Sequence, residues 1–184
     1  MIAERILAAA RASFSAQGYA TTTLRSVARA AEVDPSLVSY YFKSKKGLFE
    51  AALAPPDSFM EGVHKAAIAP PHERGTAIVT AMLGLWDDPA AAAVLRSIIL
   101  TASHETSALE RLRSLFSDQV LTAVAHSLSS TERDCRAGLV ASQMVGLAMT
   151  RYVWRFGPMA ELPSDRVVEL IAPTIQRYLF DPLD

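Results

Sequence analysis

The fold is decided by residues 23–42, which read TLRSVARAAEVDPSLVSYYF. The first part of this stretch has its apolar residues at the spacing of one helix face: Leu24, Val27, Ala28 and Ala31. A threonine before such a face can accept hydrogen bonds from free backbone amides, which predicts a helix start after the threonines at 21–23. Asp34 is a favoured N-cap and Pro35 a favoured first helical residue, so a second short helix is predicted from Pro35 to about Phe42.

Two short helices joined by a turn of about four residues form a helix-turn-helix, whose second helix enters the DNA major groove. Here the pair is roughly Thr23–Ala31 and Pro35–Phe42. The side chains needed to pack these two helices together are Val27, Ala28, Val33 and Val38. The side chains left facing outward, near base edges, are then Ser36, Leu37, Ser39 and Tyr40. Three further residues at the end of the second helix and the start of the next can reach phosphate oxygens: Tyr41, Lys43 and Lys45.

Helical periodicity recurs along the rest of the chain, and no strand pattern stands out, so the predicted fold class is all-α. A first helix is predicted from Ile2 to Gln17, ended by Gly18, and a fourth from Lys45, capped by Ser44. Pro55-Pro56 ends or kinks that fourth helix. The breaks beyond it predict helices at about 57–68, 72–87, 89–103, 105–128, 131–156 and 164–180. A loop is expected at 157–163 and a kink at Pro173.

Charge is distributed unevenly along the chain. Residues 1–50 hold seven basic and four acidic side chains, whereas residues 51–184 hold 11 basic and 15 acidic ones. A small basic module on an acidic body fits a nucleic-acid partner at one end only. The single cysteine, Cys135, can form no internal disulfide, no stretch has the roughly 20 apolar residues that span a bilayer, and no secretory signal is visible. We therefore expect a cytoplasmic protein with no membrane partner.

No catalytic or metal-binding pattern is present in the sequence. Gly-x-Ser-x-Gly, P-loop and Gly-x-Gly-x-x-Gly motifs are missing, and none of the four histidines forms an i, i+4 pair. We expect no enzyme activity, no catalytic residues, no metal site and no cofactor. Cys135 lies near the start of a long predicted helix, where redox sensing competes with the commoner interpretation of an inert thiol.

Between Ile2 and about Leu53 the sequence resembles the tetracycline-repressor (TetR) family of transcriptional regulators. The residues that carry the resemblance are Ala10-Arg11, Phe14, Gly18-Tyr19, Thr22-Thr23-Leu24, Val27-Ala28, Ala31, Val33, Tyr41-Phe42, Lys45 and Leu48. The resemblance implies a three-helix DNA-binding domain, here residues 1–47. It also implies that residues at or near the bases are Thr23, Arg25, Ser36, Leu37, Ser39 and Tyr40. By the same resemblance, Tyr41 and Lys45 hold phosphates, and the position of Lys43 adds it to this DNA-binding set.

Two residues depart from the family pattern. Glu32 stands in the turn where the family usually has glycine, which readily adopts a positive φ, so strain or a slightly different turn is expected there. Ser39 stands where the family often has tyrosine, with Tyr40 beside it, which bears on the base-reading pattern. These departures leave open an alternative, a helical ligand-binding or scaffold dimer with a degenerate helix-turn-helix.

Residues from about 72 to 182 resemble a C-terminal domain common among actinobacterial TetR-like regulators. The stretches that carry this resemblance are 85–89 (LWDDP), 141–148 (ASQMVGLA), Arg151-Tyr152 and 172–179 (APTIQRYL). The resemblance implies an effector-sensing and dimerisation domain, here residues 48–184, whose last two long helices pair with those of a second subunit. The helix predicted at 131–156 is apolar over much of its circumference, which favours neighbours on most sides.

Together the two resemblances imply a ligand-responsive repressor that binds a palindromic operator as a homodimer. The expected partners are a double-stranded DNA operator, a second copy of the chain and an unidentified small-molecule effector. Candidate residues for an effector pocket are Met82, Trp86, His104, Phe116, Met144 and Trp154. Apolar side chains at helical spacing more often fill a core, so core packing competes with this interpretation.

Overall fold

The computed structural model of the protein describes residues 1–54, 57–102, 105–114 and 130–183. Every regular element in these ranges is helical, which confirms the predicted all-α class. The described residues form two compact units, the first within 1–56 and 90–112 and the second within 57–89 and 113–184. Among the described residues, no single helix combines the length and apolar composition needed to cross a membrane.

The first 54 residues contain one long helix followed by three short ones. Those of the first 54 residues are α1 Ile2–Thr21, α2 Leu24–Ala30, α3 Pro35–Phe42 and α4 Lys45–Ala52. Those of the next ranges are α5 Asp57–Ile68, a 3₁₀ turn Pro71–Glu73, α6 Arg74–Asp87, α7 Pro89–Ala102 and α8 Thr106–Ser114. The last described range contains α9 Ser130–Ala148, a π-helical segment Met149–Val153, α10 Gly157–Glu161 and α11 Ser164–Phe180.

The predicted caps explain where the short helices begin. The side chains of Thr23, Asp34 and Ser44 accept hydrogen bonds from the backbone amides of the first turns of α2, α3 and α4. Gly18 breaks the helical backbone of α1 with φ 78° and ψ 169°, but helical turns resume after it and continue to Thr21. The predicted starts of α2, α3 and α4 are therefore confirmed. Gly18 interrupts the first helix where its end was predicted, and a short helical segment follows it to Thr21.

The C-terminal part differs from the sequence prediction in three places. The helix predicted from residue 72 begins as the 3₁₀ turn, and the one predicted over 131–156 changes from α to π geometry after Ala148. The loop predicted at 157–163 contains α10, which is tied to the π segment because Arg151 Nη1 donates to the carbonyl of Met159 at 2.7 Å. Helix α11 contains Pro173, as predicted, and the kink expected there stays a prediction. Of the helix predicted at 105–128, the part after residue 114 lies outside the described residues.

The core of the first unit is built where α1 packs on α2, α3 and α4. Phe14 of α1 packs edge-on against Phe49 of α4 with ring centroids 4.9 Å apart, and Tyr19 lies 4.7 Å from the same ring. Arg11 Nε donates to the carbonyl of Ala52 at 3.1 Å and so caps the end of α4. Burial lowers the pKa of the half-buried Arg11 guanidinium. Apolar packing and one half-buried cation thus hold α4 against α1.

The core of the second unit lies between α5, α6, α9 and α11. Its buried side chains include Val79, Leu83, Val140, Met144, Ile175 and Leu179. Arg136 of α9 is only 5% exposed. It donates to the carbonyls of Tyr178 and Asp181 at 2.6 and 3.0 Å, with the Glu132 carboxylate 2.8 Å from its Nη2. The guanidinium therefore satisfies free carbonyls at the end of α11, where helices lack intrahelical partners.

The first turn of α6 touches the backbone of α11 because residue 75 has no side chain. A Cβ at Gly75 would lie 2.6 Å from the carbonyl oxygen of Ala172 and 2.8 Å from the amide nitrogen of Gln176. Gln176 closes the contact with both ends of its amide. Its Oε1 accepts from Gly75 N and its Nε2 donates to the Pro71 carbonyl, each at 2.8 Å.

We predict that Gly75→Ala lowers the free energy of unfolding by about 1–3 kcal/mol, because the new methyl group overlaps the α11 backbone. Gly84 is the matched control, since it lies in the same helix and a methyl group added to it would meet nothing within 4 Å. Gly84→Ala should stabilise by about 0.5–1 kcal/mol through helix propensity alone. Urea unfolding of both variants measures the difference, and equal effects at the two positions would contradict the close approach.

Candidate nucleic-acid interface

The turn between α2 and α3 is closed by two backbone hydrogen bonds. Val33 N donates to the carbonyl of Ala28 at 3.0 Å, and Glu32 N donates to the carbonyl of Arg29 at 3.1 Å. This pair of bonds defines a Schellman motif, which requires a left-handed residue just after the helix. Glu32 occupies that position with φ 53°. The positive φ expected at this departure from the family pattern is therefore present, and it is uncommon for a residue with a Cβ.

Arg5 of α1 holds this turn from outside. Its Nη2 donates to the carbonyls of Ala31 and Glu32 at 2.6 and 3.3 Å, and the same nitrogen lies 3.8 Å from the Glu32 carboxylate. A cation is favoured at these carbonyls because they form the negative end of the α2 dipole. Sequence reasoning missed Arg5, since its partners lie 26 and 27 residues away and no local pattern connects them.

Helix α3 exposes to solvent most of the side chains predicted to lie near base edges, which form its predicted reading face. Val38 is fully buried on its inner side, whereas Ser36, Ser39, Tyr40 and Tyr41 are exposed and Leu37 is half-buried. The remaining candidates are also accessible, with Thr23, Arg25 and Lys43 exposed and Lys45 half-buried. The structure thus brings all nine predicted DNA-binding residues onto the accessible surface of α2, α3 and the start of α4. Their contacts with DNA stay a prediction.

The junction from α3 to α4 is tight and strained. Lys43 has φ 64° and ψ −45°, and Ser44 N donates to the carbonyl of Phe42 at 2.7 Å across it, which forms a γ-turn of the strained, positive-φ kind. Gly47 makes room for this turn, because a Cβ there would overlap the same Phe42 oxygen. The Lys43 ammonium donates to the carbonyl of Tyr40 at 2.9 Å and lies 5.4 Å from the Tyr40 ring centroid. The end of α3 is therefore held at a defined distance from α4.

Lys45 has a structural contact that sequence reasoning did not anticipate. Its Nζ donates to the carbonyl of Ala20 at 3.0 Å and lies 4.5 Å from the centroid of the Tyr19 ring. An ammonium group has three donors, so this contact leaves donors for a phosphate oxygen. Lys45 thus connects the end of α1 to the start of α4, in addition to its predicted contact with a phosphate.

The two hydroxyl groups nearest the helix starts have different hydrogen-bonding states. Thr23 Oγ1 accepts from Ser26 N at 3.0 Å, which leaves its own proton available. Ser36 Oγ instead donates to Asp34 Oδ1 at 2.5 Å, and the same oxygen accepts from Ser36 N at 2.8 Å. These two bonds from Ser36 lower the pKa of the Asp34 carboxyl, because hydrogen bonds to a carboxylate favour its charged form.

The four candidate effector residues that the structure describes lie in different environments of the second unit. Met144 is buried in the core, Met82 packs against it, and Trp86 is buried with its ring stacked on Tyr152 at 5.0 Å. Burial raises the pKa of the Tyr152 phenol, partly offset by Arg151. Trp154 is 57% exposed and stacks on Phe156 at 5.4 Å. His104 and Phe116 lie outside the described residues.

An open groove of about 460 Å³ lies elsewhere in the second unit, between the 3₁₀ turn, α6 and α11. Its lining contains none of the six candidates and consists of His72, Thr76, Asp165, Val168, Glu169, Ala172, Pro173 and Gln176. In the described part of the chain, no group of three or more His, Cys, Asp or Glu side chains is placed to hold a metal ion.

We predict that Glu32→Gly is more stable than Glu32→Ala by about 1 kcal/mol, because glycine adopts a positive φ without the Cβ clash. Both variants lose the carboxylate, so the comparison isolates the backbone. The same two substitutions at Glu50, an exposed residue inside α4, should rank in the opposite order. Chemical denaturation measures all four, and alanine equal to glycine at position 32 would contradict the left-handed turn.

Comparison with known proteins agrees with this geometry. Residues 6–52 match the tetR family of bacterial regulatory proteins, and residues 72–179 match the tetracyclin repressor-like C-terminal domain. A TetR-family regulator of Streptomyces coelicolor A3 is 30% identical, with a TM-score of 0.67 over 98% of this chain and 95% of that one. NalD, the secondary repressor of the MexAB-OprM multidrug efflux pump in Pseudomonas aeruginosa, shares the fold at 18% identity, with a TM-score of 0.62 over 98% and 97% of the two chains.

A shorter match links the chain to a curated protein. The probable HTH-type transcriptional regulator YttP of Bacillus subtilis (strain 168) is 36% identical over 62 residues, which is 34% of this chain and 28% of that protein. The two family domains together cover most of the sequence, and the helix-turn-helix has the required turn and exposed reading face. The chain therefore belongs to the TetR family of DNA-binding transcriptional regulators.

Proposed function

We propose that the protein is a cytoplasmic, ligand-responsive repressor that binds a near-palindromic operator as a homodimer. The observation that carries this proposal is the outward face of α3, where Ser36, Ser39 and Tyr40 are exposed in front of a buried Val38. Recognition helices contact base edges with such side chains, and cations beside them contact phosphates. Lys43 and Lys45 follow α3 directly and supply that charge.

The alternative, a helical ligand-binding or scaffold dimer with a degenerate helix-turn-helix (the degenerate-head alternative), rests on Glu32 and Ser39. The turn at Glu32 nevertheless closes with both Schellman hydrogen bonds, and Arg5 adds two more contacts to its carbonyls. With serine at position 39, Tyr40 is the most exposed large side chain of α3, with 68% of its surface accessible. These features favour a working reading head over a degenerate one.

The dimer proposal is supported by an outward face on α9 and α11, which pack side by side. On α9, Gly138, Ser142 and Gly146 are exposed at successive turns, and a methyl group on either glycine would meet nothing within 4 Å. On α11, Leu170 is 56% exposed. Small residues at this spacing allow a second helix to approach closely. A symmetric homodimer would bind two half-sites about 35 Å apart.

The effector part of the proposal follows from the family resemblance. A ligand can shift the protein between two states only by its differential affinity for them. The candidate contacts that the structure describes as buried or half-buried in the second unit are Met82, Trp86 and Met144, and the Trp86 ring stacks on Tyr152. Because the family consists of regulators, we infer no catalytic role.

Selection of bound duplexes from a random DNA pool, with the purified chain at a fixed moderate salt concentration, tests the proposed function. A recovered near-palindrome would support it, and the half-site spacing would report the dimer geometry. Weak, salt-sensitive binding without sequence preference would favour the degenerate-head alternative. Operator affinity that stays unchanged across a panel of small molecules that raise the melting temperature would contradict the ligand switch.

We predict that Lys43→Gln weakens binding to all duplexes alike and lowers the slope of log K against log salt by about two units, because the homodimer loses one phosphate contact in each half-site. Lys65→Gln is the matched control, since Lys65 is an exposed lysine of α5 in the second unit. Fluorescence anisotropy titrations at several salt concentrations measure both. A loss confined to one operator sequence would show that Lys43 reads bases instead.

We predict that Gly146→Glu yields a monomer that binds the operator weakly, because like charges and added bulk would meet across the proposed interface. Gly84→Glu is the control, since Gly84 is equally open but lies on α6. Sedimentation velocity gives the oligomeric state and circular dichroism gives the fold. A Gly146→Glu variant that stays both folded and dimeric would place the interface elsewhere.

A further inference from the structure

The first turn of α3 holds a hydroxyl group whose proton is already committed. Ser36 Oγ lies 2.5 Å from Asp34 Oδ1, and Ser36 N lies 2.8 Å from the same oxygen. An ionised carboxylate can only accept hydrogen bonds, so the hydroxyl group must be the donor in the first contact. Ser36 Oγ is therefore left with lone pairs and no proton to offer to a partner.

Asp34 stays ionised over the working range of pH. Its pKa is lowered by the two hydrogen bonds from Ser36, and its side chain is exposed. The second carboxylate oxygen, Oδ2, also carries only lone pairs. Asp34 and Ser36 consequently present two exposed acceptor oxygens, with no donor between them, at the N-terminal end of α3.

The rest of the reading face is rich in donors. Arg25, Lys43 and Lys45 carry only donors, and the Thr23 hydroxyl retains its proton because Oγ1 accepts from Ser26 N. A carboxylate is repelled by a row of phosphates, whereas these cations and this hydroxyl are suited to them. The N-terminal turn of a recognition helix lies deepest among base edges. Asp34 and Ser36 therefore fit the bases and not the backbone.

We propose that the Asp34–Ser36 pair makes this end of α3 an acceptor-only reader, which selects bases that present an exocyclic amino group in the major groove. This inference rests on the proposed operator binding and names the chemistry that the operator must carry. In the major groove, adenine offers its N6 amino group and cytosine its N4 amino group, whereas thymine and guanine offer O4 and O6 acceptors.

The consequence is a two-base preference and not a single-base one. At one position in each half-site, the strand that faces Asp34 and Ser36 should carry adenine or cytosine, and guanine or thymine should be rejected. The amino groups of adenine and cytosine both lie near the middle of the major-groove edge, so acceptor oxygens that contact only this group separate the two bases poorly. Rejection has a physical cause, because two acceptors would face each other without a proton between them.

The experiment uses the full chain and the operator recovered from the random pool. Every base pair of one half-site is replaced in turn, and dissociation constants are measured for the wild type, Ser36→Ala and Asp34→Asn. Asparagine keeps an oxygen that can cap Ser36 N but turns the outward oxygen into an amide donor. For the wild type we expect one position at which adenine and cytosine bind about tenfold better than guanine and thymine.

A nucleobase that lacks the amino group separates direct reading from DNA shape. At an adenine of that position, unsubstituted purine keeps the ring and removes only the N6 amino group. The wild type should lose about fivefold in affinity on this replacement. Ser36→Ala binds adenine more weakly at the outset and keeps only the Asp34 carboxylate as an acceptor, so its further loss on the purine replacement should be clearly smaller. Asp34→Asn should weaken the adenine or cytosine preference. Urea unfolding of each variant confirms that the DNA-binding domain stays folded.

The outcomes distinguish this inference from the proposed function. The protein could select a specific operator in which neither Ser36→Ala nor Asp34→Asn changes a preference for adenine or cytosine. That result overturns the acceptor-only reader and leaves operator binding in place. Binding without any sequence preference overturns both. A preference that disappears in Ser36→Ala, together with the purine result, supports the assignment of Ser36 as the acceptor.

Discussion

The positive φ of Glu32 is the constraint on which the DNA-binding domain depends. A Schellman turn needs a left-handed residue at this point, and the reversal of the chain that follows directs α3 outward. A side chain here makes the turn less favourable than glycine would. The turn is stabilised nonetheless by hydrogen bonds. Val33 N and Glu32 N donate to carbonyls of α2, and Arg5, which lies in α1, donates to the carbonyls of Ala31 and Glu32. The turn between the two short helices thus depends on a residue far away in the sequence.

Helix α3 is restrained at both of its ends, and each restraint uses residues that also belong to the proposed DNA-binding face. At its start, Asp34 caps the first turn through Ser36, which determines the donor and acceptor pattern offered to a base. At its end, the γ-turn at Lys43 and the bare backbone at Gly47 hold α4 close. Strained backbone persists where the surrounding structure over-determines it, and such residues cluster at functional sites. Helix α3 has only eight residues and so few contacts of its own, and these two restraints therefore set its position.

The second unit is held together by a different combination of forces. Apolar side chains fill its core, and polar groups set the register of the helices around it. Gln176 of α11 forms hydrogen bonds with the backbone at the start of α6, and Arg136 of α9 donates to carbonyls at the end of α11. The hydrogen bonds of these buried or half-buried groups are satisfied, so the helices cannot slide without leaving polar atoms unpaired. The opposite sides of α9 and α11 carry small or exposed residues, which suits them to meet a second copy.

The sequence by itself determined where α2, α3 and α4 begin and which side chains of α3 are exposed. Caps such as Thr23, Asp34 and Ser44 act on amides within three residues, and the periodicity that buries Val38 exposes Ser39 and Tyr40 by geometry alone. The tertiary structure decided whatever depends on distant partners. Arg5 donates to carbonyls of the turn at Glu32, and Lys45 donates to the carbonyl of Ala20. The backbone of α11 packs against Gly75, where no side chain is present. The π segment after Ala148 also belongs to this group, because propensities favour an uninterrupted α-helix there. Local hydrogen bonds and periodicity are encoded within one or two helical turns, whereas these contacts arise only when separate segments are packed together.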